Sequence, residues 1–398
     1  MMGSDLHNTF LQLVRLGISH TENTDNTEIM VLSSEEWAQL KALADEQGLS
    51  AIVLDGIEKL SANQRPPQVL LLEWIGQTLQ EEAVFASQQQ EAAKMAALFH
   101  QNHIKTYVLK GVVVAECYPK PNHRVSVDLD CYLLPDEGDF DAWTLGNDLI
   151  ASKGFEVSKD FYKNSTFLLS ELTVESHQFL TPFRGNKTLK KLEAFLQSQL
   201  IVDSLEFKDS SLQSKAAEPS AEVERKKIEG TELWRPPVMV SALFLIEHAY
   251  SHFLHEGLTW RMVLDWMLFS KKHKDEINWA EFDAFIGEFG FGKFYDSFSR
   301  LGLYLIGELK EFSRLASSNE QPKVERNGLS VQDERMLEDI WAPLDVHETI
   351  IGVKGKLALV GNTWRARWKY HHFAEITWIQ ALWIQTKGFL FEKNPKLD

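Results

Sequence analysis

Two aspartates two residues apart, Asp128 and Asp130, lie in the alternating stretch Val125–Leu134. On a strand, every second side chain leaves the same face, so both carboxylates point together while Val127 and Leu129 point the other way. Carboxylates held that close repel and raise each other's pKa unless a cation neutralises them. A divalent ion removes the repulsion, and Mg²⁺ typically takes one or two carboxylates together with substrate phosphates. A third acid on a neighbouring strand would complete a two-metal clamp. Glu175 in Thr173-Val174-Glu175-Ser176-His177 suits that place, with His177 on its own face; Glu171 serves if the register is otherwise. Upstream, Lys110-Gly111 separates a short strand, Lys105–Leu109, from a short buried helix expected over Val112–Tyr118. Such a turn brings backbone N–H groups and a helix N-terminus against phosphate, and Lys110 adds a point charge.

Other residues carry chemistry by spacing alone. His248, His252 and His255 stand at i, i+4 and i+7 on one helix, which permits zinc. No Glu follows the first His as a metalloprotease needs, and neither Cys is near, so a polar seam facing or capping the cleft is the preferred reading. Arg261 and Asp265, one turn apart, are either site residues or a plain helix ion pair. Trp364–His372 is basic and aromatic, a pattern that more often packs its rings and leaves its charges wet than meets RNA or a membrane.

These residues need a frame. Helices are expected over Asp5–Gly17, with Gly17 as C-cap, and after a capping box at Ser33–Glu36. One or two long helices follow over Val69–His103. Strands at Phe155–Phe161, Thr166–Leu169 and Leu172–Phe179 then interleave with helices near Phe140–Ser152 and Lys187–Gln199, the pattern of a small mixed sheet. Asp203–Glu222 reads as an exposed loop and Val223–Arg235 as a hairpin turning at Glu229-Gly230. Pro236-Pro237 opens a strongly apolar helix to about Leu254, and helical patterns continue to the C-terminus, broken by a polar segment at Ser313–Asn327. Three regions result: an N-terminal helical part over 1–103, an α/β core over 104–236, and a C-terminal helical domain over 237–398.

Composition narrows the partners. With 24 Phe, 12 Trp and 8 Tyr, the chain carries far more aromatic surface than a disordered coil. A net charge of −16 repels phosphate at long range, which disfavours nucleic acid as partner. Two cysteines, Cys117 and Cys131, build no disulfide framework, so a reduced, cytoplasmic protein is expected. The first residues lack a basic, then apolar, leader, and no apolar run is long enough to span a membrane.

The order of Gly111 after a strand, then a helix, then an Asp-x-Asp strand and a later lone acid resembles the polymerase-β-like nucleotidyltransferase superfamily. Leu109-Lys110-Gly111, Arg124 four residues before Asp128, and the Glu175-x-His177 strand look like a bacterial nucleotidyltransferase-like family, mostly uncharacterised. Ile246-Glu-His-Ala-Tyr-Ser-His252 and Thr259-Trp-Arg-Met-Val-Leu-Asp-Trp266 look like the helical segment of that family, so the resemblance runs over residues 30–275. It implies an α+β fold: a small mixed-sheet nucleotidyltransferase core flanked by N-terminal helices and a C-terminal helical domain. It also implies Mg²⁺- (or Mn²⁺-) dependent transfer of a nucleoside monophosphate from an NTP to an acceptor, a small molecule or a protein rather than nucleic acid. Asp128 and Asp130 would bind metal, with Glu175 as third acid positioning or deprotonating the acceptor hydroxyl. Gly111 and Lys110 would hold the triphosphate, and Arg124 would meet phosphate or brace the acids. His177, His248, His252, Arg261 and Asp265 are further nucleotide-binding candidates. The chain departs from the superfamily in carrying Lys-Gly where Gly-Gly or Gly-Ser is usual, which keeps an alternative in play: a catalytically inactive nucleotide-binding or scaffold protein.

Overall fold

Six strands form one mixed sheet, in the spatial order Val157–Ser158, Asn164–Leu169, Leu172–His177, Asp128–Pro135, Ile104–Val108, Leu233–Trp234. The computed structural model describes residues 2–19, 30–159, 162–183, 186–212, 226–308, 328–341, 361 and 363–383. β1 (Ile104–Val108) is buried at every position and runs antiparallel to β2 (Asp128–Pro135). β2 runs parallel to β5 (Leu172–His177), which forms a hairpin with β4 (Asn164–Leu169). The edges are short: β3 (Val157–Ser158) beyond β4, and β6 (Leu233–Trp234) parallel to β1. The expected strand over Phe155–Phe161 is thus two residues long, and its positions 160–161 lie outside the described residues. The hairpin turning at Glu229-Gly230 is present over the described part, with Ile228 N–H donating to the Leu233 carbonyl at 2.8 Å and Gly230 at φ +70°.

Each sheet face has its own cover. Leu129, Cys131, Leu133 and Val174 join Ala92, Met95 and Phe99 of α4 (Gln68–His100) in one core, with α6 (Ala142–Ser152) closing it. α4 is a single helix of 33 residues, about 50 Å at 1.5 Å per residue. The opposite face sends Tyr107 and Tyr132 into a larger core that joins α1 (Met2–Ile18), α2 (Ser34–Glu46) and α3 (Ser50–Glu58) to the helices that follow β5. That second group comprises α7 (Lys187–Leu212), α8 (Val238–His255), α9 (Trp260–Lys272), α10 (Trp279–Glu288), α11 (Gly292–Ile306), α12 (Val331–Trp341) and α13 (Arg367–Phe373). An α+β architecture with helices flanking a mixed sheet on both chain sides is therefore what the sequence folds into.

Local signals account for several boundaries. Ser33 caps α2 through Glu36 N–H, and the Glu36 carboxylate answers on Ser33 N–H at 2.7 Å, the expected capping box. Gly17 does not cap α1, which runs on to Ile18. Its missing side chain serves packing instead, since a Cβ there would stand 2.0 Å from the Ile52 carbonyl oxygen, and one on Gly56 would stand 2.1 Å from that of Leu13. These two glycines let α1 and α3 cross backbone to backbone. α7 continues to Leu212 where a loop was expected from Asp203; positions 213–222 of that expected loop, and the polar segment 313–327, lie outside the described residues. The helix holds there because Asp203 is buried, accepting the Tyr107 hydroxyl at 2.8 Å and pairing with Lys226 at 2.7 Å. Among the described residues, no helix is long and apolar enough to cross a membrane.

Candidate functional site

Register decides which acids meet. Asp130 and Glu175 are Cα partners across the parallel β2/β5 pair, Asp128 faces Thr173, and Tyr132 faces His177. Period-2 alternation therefore puts Asp128, Asp130, Glu175 and His177 on one face. Glu171 falls in the tight β4–β5 turn, because Leu169 pairs with Leu172, and lies away from this face. One ligand atom from each of Asp130, Glu175 and His177 lies within 4.8 Å of the other two, the one such group among the described residues. The half-exposed Glu175 carboxyl is pushed up to about 7, by burial first and then by the charges of Asp130 and Asp128.

Lys110 reaches into this face from the β1 end. Its Nζ lies 3.1 Å from Asp130 Oδ2 and 3.5 Å from Asp128 carboxylate oxygens, and 3.2 Å from His248 Nε2. Burial opposes the ammonium, but Asp130 and Asp128 outweigh it and hold the lysine pKa above its ordinary value. Facing an ammonium, His248 Nε2 must accept, so its ring is neutral; burial and then Lys110 hold its pKa well below the usual histidine value. Asp130 is itself held low against its burial, by Lys110 and by a hydrogen bond from His177 Nε2 at 2.9 Å. The other ring nitrogen of His177 faces the Phe179 carbonyl at 3.2 Å, and burial lowers the pKa of the ring. A neutral His177 thus meets two acceptors with one proton.

The backbone that delivers Lys110 is tightly constrained. Gly111 has φ +74° and ψ −114°, a conformation that only glycine takes without strain. The helix after it is a single turn, Val112–Ala115, shorter than the expected Val112–Tyr118. Four residues sum little macrodipole, so the charge on Lys110 matters more here than the helix end.

Arg124 is placed differently from expectation. β2 begins at Asp128, so Arg124 is not on the strand; it ends a 3₁₀ turn at Pro121–His123. Its guanidinium makes a bidentate pair with Asp265, Nε to Oδ1 and Nη2 to Oδ2 both at 2.7 Å, and the Tyr118 hydroxyl adds a bond to Oδ1 at 2.7 Å. All three side chains are buried, and Arg124 Nη1 has no hydrogen-bond partner among the described residues. The helix pair Arg261–Asp265 is not made as a contact, since Arg261 Nη1 donates to the Val125 carbonyl at 2.7 Å. Arg261 still lies close enough for its charge to act on Lys110 and Asp265. The three histidines of α8 do not converge: His248 meets Lys110, His252 Nδ1 meets Glu256 at 2.7 Å, and His255 Nδ1 donates to the Ser251 carbonyl at 2.7 Å. His252 keeps contact with the site through His248, ring to ring at 4.5 Å.

Two residues near the site carry no sequence signal. Lys163, just before β4, sends its ammonium to 5.9 Å from the centre of the Phe244 ring. Glu247, on α8 beside His248, is 1% exposed with both carboxylate oxygens unpartnered among the described residues. Burial pushes that carboxyl up to about 7, Lys163 opposing and Glu193 adding to the rise. Neither belongs to a spacing pattern, so only the fold brings them here. A cleft beside Asp128, lined by Phe85 and Gln88 of α4 together with Val112 and Ser126, opens next to the acids.

The acids suit a hard divalent cation. Asp130 Oδ2 is buried and accepts no hydrogen bond of good geometry, although Lys110 stands beside it. Asp130, Glu175 and His177 offer two carboxylates and an imidazole that could hold such an ion, with Asp128 next along the same face.

A family profile described as an uncharacterised nucleotidyltransferase matches residues 33–305. No curated protein matches the chain, and no solved structure does.

Proposed function

From the premise that the chain belongs to this uncharacterised nucleotidyltransferase family, we propose that it transfers a nucleoside monophosphate from an NTP to a hydroxyl of a small molecule or a protein. The observation that carries the reading is the shared face of Asp128, Asp130 and Glu175, on which ligand atoms of Asp130, Glu175 and His177 lie within 4.8 Å of one another. These three residues would hold Mg²⁺ or Mn²⁺, which when bound neutralises charge on the transferring phosphoryl group and the leaving pyrophosphate.

The remaining roles belong to the side chains. Glu175, the partly exposed carboxylate of the face, is placed to take the proton of the acceptor hydroxyl. The acceptor oxygen then bonds to the α-phosphorus, the bond from that phosphorus to the β-phosphate oxygen breaks, and pyrophosphate leaves with its electron pair. Lys110 supplies positive charge to the phosphates, on the turn that Gly111 permits. His177 orients Asp130, His248 orients Lys110, and His252 backs His248. Arg124 and Asp265 brace the loop that leads into β2, while Arg261 ties α9 to the same loop through Val125. Net acidity favours an acceptor other than nucleic acid, and two free cysteines suit a cytoplasmic setting.

One observation favours a second reading. Lys110 already neutralises Asp128 and Asp130, as it would in a nucleotide-binding or scaffold protein without catalysis. Calorimetric titration of NTPs with Mg²⁺ and with Mn²⁺, on the wild type and on Asp128→Asn/Asp130→Asn, separates the two. Metal-dependent binding lost in the double variant supports the transferase, and pyrophosphate release in the presence of an acceptor establishes turnover. Binding that ignores both metal and substitution supports the scaffold. No binding by the wild type sinks both.

A further inference from the structure

We propose that Lys163 grips the β- and γ-phosphates of the nucleotide, an inference that rests on the transferase reading above. Its backbone is pinned at the site: the Lys163 carbonyl accepts the N–H groups of Gln178 at 2.8 Å and Phe179 at 3.0 Å, immediately after His177. Its ammonium shares one aromatic neighbour with both site histidines. Phe244 lies 5.9 Å below the Lys163 ammonium, meets the His177 ring edge-on at 6.1 Å and stacks on His248 at 5.9 Å. The charge of Lys163 accordingly acts on Glu175, His177 and His248.

What separates Lys163 from Lys110 is commitment. Lys110 is held by two aspartates and a histidine, and an anion competes with them for it. Lys163 forms no ion pair among the described residues; its side-chain neighbour there is an aromatic face. An ammonium held by a ring keeps its donors available to an incoming anion. A triphosphate brings several negative charges to a face that already carries three carboxylates, and its tail needs cations of its own. The competing role for Lys163 is purely structural: among the described residues, it is the cation whose charge favours ionisation of the buried Glu247.

The two roles part in a titration series. Wild type, Lys163→Met, Lys163→Arg and Lys163→Met/Glu247→Gln are titrated with the four common NTPs, their monophosphates and inorganic tripolyphosphate, with Mg²⁺ present. The expected result is a loss of about ten- to a hundredfold for NTP and tripolyphosphate in Lys163→Met. Monophosphate affinity changes less than about twofold, because the proposal assigns only the β- and γ-phosphates to this lysine, and Lys163→Arg keeps most of the binding. The double variant stays as weak as Lys163→Met. Recovery in the double variant, or equal losses for tri- and monophosphates, overturns the proposal in favour of the Glu247 role. Unchanged NTP binding in Lys163→Met overturns it while leaving the transferase reading intact, whereas a wild type that binds no nucleotide overturns both.

Discussion

Asp130 and Glu175 stand side by side as Cα partners on parallel strands, in register, with Lys110 over one and His177 between them. Neither carboxylate is replaceable by its amide if the pair serves a divalent cation. Asp130→Asn is expected to lower Mg²⁺-dependent transfer by on the order of 10²–10³-fold. Denaturant unfolding of the same variant reports whether the fold survives, so that loss of function is not confused with loss of structure. Full activity in a folded Asp130→Asn protein would remove Asp130 from the site.

Gly111 adopts φ +74°, where any Cβ brings backbone strain even though the space around it is ordinary, 3.6 Å to the Ser126 hydroxyl. Gly111→Ala is expected to destabilise by about 1–3 kcal/mol and to weaken NTP binding by misplacing Lys110. Chemical denaturation checks the first effect and calorimetry the second.

The buried pair Arg124–Asp265 invites a double-mutant cycle. Asp265→Ala strands a guanidinium that is 4% exposed and is expected to cost about 3–5 kcal/mol. Arg124→Met/Asp265→Leu is expected to recover most of that loss, because no charge is then left buried. Urea unfolding of Asp265→Ala and of a closed cycle of wild type, Arg124→Met, Asp265→Leu and the double variant measures it, and an additive cycle would show that the two side chains do not act together.

Near the same loop, His123 sets a pH dependence. Its Nδ1 lies 2.7 Å from Asp55 and its Nε2 2.9 Å from Glu82, which tie α3 and α4 to the loop before β2. Burial opposes the imidazolium, but the hydrogen bond and charge of Asp55, joined by Glu82, outweigh it and raise the pKa. A raised folded value means that the stabilisation is complete below the unfolded value near 6.5 and is lost as pH rises through the folded one. The stability gap between wild type and His123→Gln is therefore expected to shrink as pH rises from the unfolded value near 6.5 through the raised folded one. Thermal unfolding followed over that range tests it; a gap that widens with pH contradicts the imidazolium.

Much of the site was legible because strand alternation is a local rule. Asp128, Asp130, Glu175 and His177 needed only period 2 and one parallel pairing to share a face. Lys110-Gly111 was legible because a glycine between a strand and a helix marks a turn. Arg124 was not, since its partner Asp265 lies 141 residues away and β2 starts only at Asp128. The same holds for α7: nothing local announces that Asp203 would be consumed by Tyr107 and Lys226, and that contact carries the helix through a polar stretch. Lys163 belongs to no motif, Glu247 sits in the Ile246–His252 segment with no role read for it, and only tertiary packing brings them beside the acids.

The ammonium of Lys110 gives the acid face a resident counter-ion. The protein can therefore fold and wait with its carboxylates neutralised, whatever the supply of divalent ions. Binding such an ion is then an exchange, in which the lysine must turn from carboxylates to phosphate as the metal takes its place. Metal and nucleotide become coupled ligands: each frees the partner the other needs, so each binds more tightly in the presence of the other.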